Sequence, residues 1–221
     1  MSPIAGKRVG RALCIGVEAE ADARTFATIA QQRGFVPPAL LLGERATRAA
    51  VRSKLDEMAA VSEPGDLFLL TFSGHGGRTK LPVRSGAPEP VGLWQLYDGS
   101  LHDEQLKSDL GRFRPGVRVL VLSDNCSGGI PSLRASQLTE SLSASVLVLA
   151  ACQNDQYADG TGLPGHFAHV FSCTLNGGTF DGAYPQFHQA LCGRMPAYQK
   201  PDYYRVGVPD ATFEAQRPFT I

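Results

Sequence analysis

Short apolar runs and longer amphipathic stripes alternate along this chain. Residues 11–17 (RALCIGV) and 39–42 (ALLL) are almost uniformly apolar, as strands buried on both faces would be. The same pattern returns in DLFLLTFSGHGG (66–77), VRVLVLSDNCSGG (117–129), residues 145–151 and residues 203–208, giving six predicted strands. Between them the apolar positions move to helical spacing. Residues 21–33 carry Phe26, Ile29 and Ala30 before Gly34, a stop signal; Thr47 can cap a helix bearing Val51, Leu55 and Met58 on one face. A polar helix over 103–110 has Leu106 and Leu110 inward, with Phe113 beyond it, and residues 166–175 carry Phe167, Val170 and Phe171. Pro64-Gly65-Asp66 makes a turn, residues 78–90 form a loop rich in Gly and Pro, and residues 129–143 form a polar connector. The chain has no internal repeat.

Strands that alternate with helices predict an α/β fold, a three-layer α/β/α sandwich around a mostly parallel six-stranded sheet. Such sheets bind ligands beyond the carboxyl ends of their strands. His75 and Cys126 both stand there, each among small residues just after an apolar run.

Composition narrows the function. A chain of 221 residues and 23.6 kDa suits one domain, residues 1–221, rather than two independent cores. Twenty-one basic and 21 acidic residues cancel, which removes a global electrostatic reason to expect nucleic acid or an anionic membrane as partner. No run has the length of a membrane span or a secretory apolar segment, so a soluble, cytoplasmic protein is expected. Five cysteines, an odd number without CxxC spacing, argue for reduced thiols. Cys14, Cys152 and Cys173 are expected to be packing residues.

A thiol and an imidazole at strand ends on the same edge of a sheet can perform acyl transfer. Cys126 would be the nucleophile, and His75 would promote thiolate formation and protonate the leaving amine. Gly76, without a side chain, lets its N–H approach a substrate and form an oxyanion hole with the amide of Cys126. Asp124 stands two residues before Cys126. It either receives a cationic substrate side chain or caps amides of its own loop. A nucleotide or flavin binder of this architecture would need a glycine-rich phosphate loop after the first strand, and Cys14-Ile15-Gly16 does not provide one. A metal hydrolase built on His75, His102, His166, His169 and His188 lacks acidic or cysteine partners at ligand spacing.

TFSGHGG and SDNCSGG resemble the His and Cys motifs of the caspase clan, closest to bacterial metacaspases (orthocaspases), and their order and spacing of about fifty residues fit caspase-type peptidases. EADARTFATIAQQRGF is similar to that family's N-D-A helix, ATRAAV and PGDLF to its approach to the His strand, and LYDGSLHDEQL to the region before the Cys strand. The resemblance implies the caspase-hemoglobinase fold, with a p20-like part over 1–133, a connector near 129–143 and a p10-like part over 144–221. It implies a cysteine endopeptidase acting as a monomer on protein or peptide substrates with Arg or Lys at P1. Its P1 pocket would be Asp22 and Asp124, although Asp22 can also be read as a first-turn acid favoured by the helix dipole.

Ser127-Gly128-Gly129 departs from the family's usual His-Ser-Gly after the Cys, which keeps a catalytically impaired interaction module as the alternative reading. Arg134 in the connector is the candidate autocleavage site. No cofactor is expected. Calcium, which many members need, would have Asp98 and Asp103, with His102 at a third position, a thin set for an ion that prefers six to eight oxygens.

Overall fold

The computed structural model describes residues 7–81, 89–125, 142–152 and 165–221. Its central sheet has six strands in the order β2-β1-β3-β7-β8-β9: β1 (Gly10–Gly16), β2 (Ala39–Leu42), β3 (Leu67–Ser73), β7 (Arg118–Asp124), β8 (Ser145–Ala150) and β9 (Asp202–Gly207). The first five run parallel, and β9 closes the edge antiparallel to β8.

Period-two alternation within the strands divides the core into two layers. Cys14, Leu67, Leu69, Leu120, Leu122, Leu147 and Leu149 face one side, where α1 (Glu20–Gln32), α4 (His166–Leu175) and α5 (Tyr184–Cys192) cover them. Leu13, Ile15, Phe68, Leu70, Phe72, Val119, Val121, Val146 and Val148 face the other, under α2 (Arg48–Val61) and α3 (Asp103–Leu110). Since both faces are dry, the strands need no polar alternation, which is why they read as continuous apolar runs. This is the expected three-layer sandwich, and the predicted strands and helices recur within a residue or two of their expected ends, apart from the extended His and Cys motifs.

Local signals act as anticipated at α2. Thr47 accepts a hydrogen bond from the Ala50 amide at 3.2 Å, a cap worth about 1 kcal/mol. Its buried stripe is Val51, Leu55 and Ala59, while Met58 packs at the margin of the core.

Three features differ from the sequence reading. Residues 78–90 are not simply a loop: β4 (Gly76–Leu81) and β5 (Glu89–Leu96) pair antiparallel, and β6 (Gly99–His102) completes a second, three-stranded sheet. Trp94 and Leu96, two residues apart, bury one face of β5, and Trp94 stacks on Phe72 at 4.7 Å, so packing outweighs the local Gly and Pro signals. Helices α5 and α6 (Ala211–Ala215) also add to the predicted set; α5 starts with a proline in its first turn and buries Phe187 and Leu191. Finally, Cys173 is exposed rather than packed, because α4 turns Phe167, Val170 and Phe171 inward and leaves Cys173 on its wet face.

Candidate functional site

The parallel register levels three strand ends: Gly16 pairs with Ser73, and Ser73 with Asp124. Their carboxyl ends therefore share one lip of the sheet, which the β1–α1 turn approaches from the side. The Val17 amide donates to the Ser73 carbonyl at 3.0 Å, and the Gly74 amide donates to the Asp124 carbonyl at 3.2 Å. A Cβ on Gly74 would lie 2.6 Å from the Val17 carbonyl oxygen, so only glycine allows this close approach.

That constriction delivers His75 to the surface. Its side chain is 70% exposed, and Nε2 lies 3.1 Å from Oε2 of Glu18. The His75 carbonyl accepts from the Gln95 amide at 2.9 Å, so the small sheet holds the backbone of the histidine while its ring projects outward. Gly76 follows as the first residue of β4, paired with Trp94.

The end of β7 is fixed by buried polar contacts. Trp94 Nε1 donates to Ser123 Oγ at 3.1 Å, Ser123 Oγ donates to Asn125 Oδ1 at 3.3 Å, and the Cys152 thiol donates to the Asn125 carbonyl at 3.5 Å. Cys152 and Cys14 are buried, as expected of packing thiols; burial pushes the Cys14 thiol up to about 12, the direction opposite to an activated nucleophile. Cys126 and Arg134 lie outside the described residues. In sequence, His75 and Cys126 each stand two residues beyond the paired positions Ser73 and Asp124 of adjacent strands.

Asp22 and Asp124, distant in sequence, meet at the same lip. Asp124 ends β7, and Asp22 lies in the first turn of α1. Burial pushes the Asp124 carboxyl up to about 8, and the negative charge of Asp22 adds to the shift. Burial also raises Asp22 above the usual carboxylate range. Oδ2 of Asp124 is sealed from solvent and has no hydrogen-bond partner among the described residues. Gly165, at φ +87°, lies against Asp22 where α4 begins; a Cβ there would lie 2.8 Å from Asp22 Oδ1. Among the described residues neither carboxyl group has an ion-pair partner, an arrangement chemically suited to accepting a positive charge.

The other candidates are placed elsewhere. Asp98 accepts from the Arg48 amide at 2.8 Å and pairs with its guanidinium at 3.7 Å. Asp103 is 3% exposed at the start of α3 and accepts from the Gly92 amide at 3.1 Å. Both carboxylates are engaged within the fold, and among the described residues no group of three or more His, Cys, Asp or Glu side chains could hold a metal ion. Two histidines do gain cysteine neighbours one helical turn away, which the sequence reading overlooked. His169 Nε2 lies 3.6 Å from Cys173 Sγ, and His188 Nε2 lies 3.3 Å from Cys192 Sγ and 3.0 Å from the Pro201 carbonyl. Each is a pair, short of a ligand set.

Glu18 was missed. A turn acid without a motif gives no signal in one sequence, and its significance comes from the strand register. Gly165 was missed for the same reason.

Comparison with known proteins agrees with this architecture. A model of the caspase domain family matches residues 16–211. Metacaspase-4 of Arabidopsis thaliana is 29% identical over 96 residues, covering 41% of this chain and 22% of that protein. Metacaspase-1B of Aspergillus fumigatus is 32% identical over 90 residues, covering 38% and 22%. The matched part therefore spans less than a quarter of the length of either relative. A Geobacter sulfurreducens protein of solved structure superposes with a TM-score of 0.83 at 30% identity, covering 96% of this chain and 99% of that one. Caspase-1 from Spodoptera frugiperda superposes at 0.59 with 12% identity, covering 91% and 88%, a likeness of fold.

Proposed function

This chain belongs to the caspase domain family, a family of cysteine peptidases, and on that premise we propose that it is an endopeptidase cutting polypeptides after Arg or Lys through a His75/Cys126 dyad. The observation that supports the basic specificity is the meeting of Asp22 with Asp124, whose sealed Oδ2 has no partner among the described residues, at the sheet lip that carries His75. An arginine or lysine side chain entering between them would replace mutual repulsion with attraction and hold the carboxylate ionised.

In the proposed reaction the Cys126 thiolate attacks the scissile carbonyl, and the developing oxyanion takes hydrogen bonds from the amides of Gly76 and Cys126. The C–N bond then breaks as His75 gives its proton to the departing amine, leaving a thioacyl-enzyme. Water, deprotonated by His75, attacks the thioester and releases the new carboxyl terminus with regeneration of the thiol. Gly74 supports this assignment because its close packing keeps the imidazole at the lip of the sheet. No step requires calcium, and we expect metal chelation to leave turnover unchanged.

The test is turnover of a peptide with Arg at P1 by the wild type and by Cys126→Ala. The variant should lose at least about a thousandfold in kcat. An inactive wild type would favour the interaction-module reading, which the Ser127-Gly128-Gly129 sequence leaves open. A positional library preferring Asp at P1 would discard the basic pocket and keep the dyad. We further propose that the protein acts as a cytoplasmic monomer and that active enzyme cuts at Arg134 in trans. An Arg134 bond intact after prolonged incubation at high enzyme concentration would remove that site.

A further inference from the structure

We propose that Glu18 is a positioning residue for His75: its carboxylate accepts the Nε2 proton, fixes the ring, and leaves Nδ1 as the nitrogen that exchanges a proton with the thiol. The inference deepens the peptidase reading and, for its effect on rate, rests on it. Oε2 of Glu18 lies 3.1 Å from Nε2 of His75. A carboxylate can only accept, so this hydrogen bond requires a proton on Nε2. A histidine held in one tautomer by a carboxylate at one nitrogen has its other nitrogen available as base.

A second observation comes from the backbone. Between the end of β1 at Gly16 and the start of α1 at Glu20, the chain reverses with Glu18 at φ +59°, in the left-handed region. Glycine serves such a turn without steric cost. A side chain kept in a sparsely populated conformation at the rim of a site is a recognised mark of function. The turn is also anchored to the histidine loop: Val17 donates to Ser73, and the Gly74 Cα packs against the Val17 carbonyl. The acid and the imidazole thus ride on one interlocked pair of loops. Asp22 and Asp124 receive the substrate's charge, whereas Glu18 acts through His75.

The test uses the full chain with Glu18→Ala, which removes the acceptor, and Glu18→Gln, which retains an acceptor oxygen without the charge. Glu18 is 73% exposed, so both variants should fold with an unchanged thermal midpoint. On a peptide with Arg at P1, Glu18→Ala should lower kcat about tenfold with KM within about twofold, and Glu18→Gln should recover part of the loss. In a Cys126→Ala background, nitrogen-15 NMR of His75, assigned with His75→Gln, should report a dominant Nε2–H tautomer that Glu18→Ala redistributes. An unchanged kcat, a loss confined to KM, or a tautomer indifferent to Glu18 would each overturn the proposal. Absence of turnover by the wild type would defeat the peptidase reading instead. The NMR arm would then still decide whether Glu18 sets the ring.

Discussion

An aspartate at each end of the sheet shows how the same residue type serves opposite ends. Asp66, just before β3, is saturated: it accepts from the amides of Val9 at 2.8 Å and Glu63 at 3.0 Å and pairs with the Arg11 guanidinium at 2.6 Å. Asp124, at the carboxyl end of the neighbouring strand β7, has a sealed oxygen, Oδ2, without such partners among the described residues, next to a second acid. A saturated buried carboxylate stabilises the fold, while an unsatisfied one calls for an explanation, which the proposed binding of a cationic substrate side chain would supply. The parallel sheet makes the asymmetry natural, since only its carboxyl end opens into a binding crevice.

The largest expected effect would break this contrast at its functional end. Asp124→Asn should reduce kcat/KM on an Arg peptide by about a hundredfold, the scale of a lost hydrogen bond to a charged group, while leaving the protein folded. Steady-state kinetics alongside circular dichroism would check it, and unchanged kinetics would remove Asp124 from the pocket. At the other end, Asp66→Ala should destabilise by about 3 kcal/mol, because it strands Arg11 and two amides. Urea denaturation would show this, and activity per folded molecule should stay at the wild-type level.

The subtlest test is of pH. Asp124 has a carboxyl pKa raised from 3.8 to about 8, so the folded state holds a proton that the unfolded state releases between those values. Its contribution therefore makes the protein lose stability as pH rises through that window, and the loss is complete above about 8. Asp124→Asn should flatten that fall in thermal midpoint. A slope unchanged by the substitution would contradict the burial of this acid without a cation.

The fold was legible where burial and sequence period coincide. The runs around Leu13, Leu69 and Val121 declare strands because both of their faces are covered, and the stripe of Val51 and Leu55 declares α2 because only one of its faces is. The β4–β5 pairing was not legible, since its glycines and proline mimic a loop and its support is the distant ring of Phe72. Phe187 and Leu191, four residues apart behind Pro185, did carry a readable signal for α5, and it was overlooked. At the site, the context of His75 could be read directly from glycine-flanked apolar runs. Asp22 was joined to Asp124 only by family resemblance, because separation in sequence says nothing about distance in space.

The sequence by itself determined the layers and which chemistry could stand at the sheet's lip, because strand burial, helix periodicity and glycine turns are local properties of neighbouring residues. Only the tertiary structure decided that Glu18 reaches His75, that Asp22 lies beside Asp124, and that Asp66 is satisfied where Oδ2 of Asp124 is not among the described residues. Those facts depend on strand register and on the angle at which loops cross it, quantities set by the whole core together.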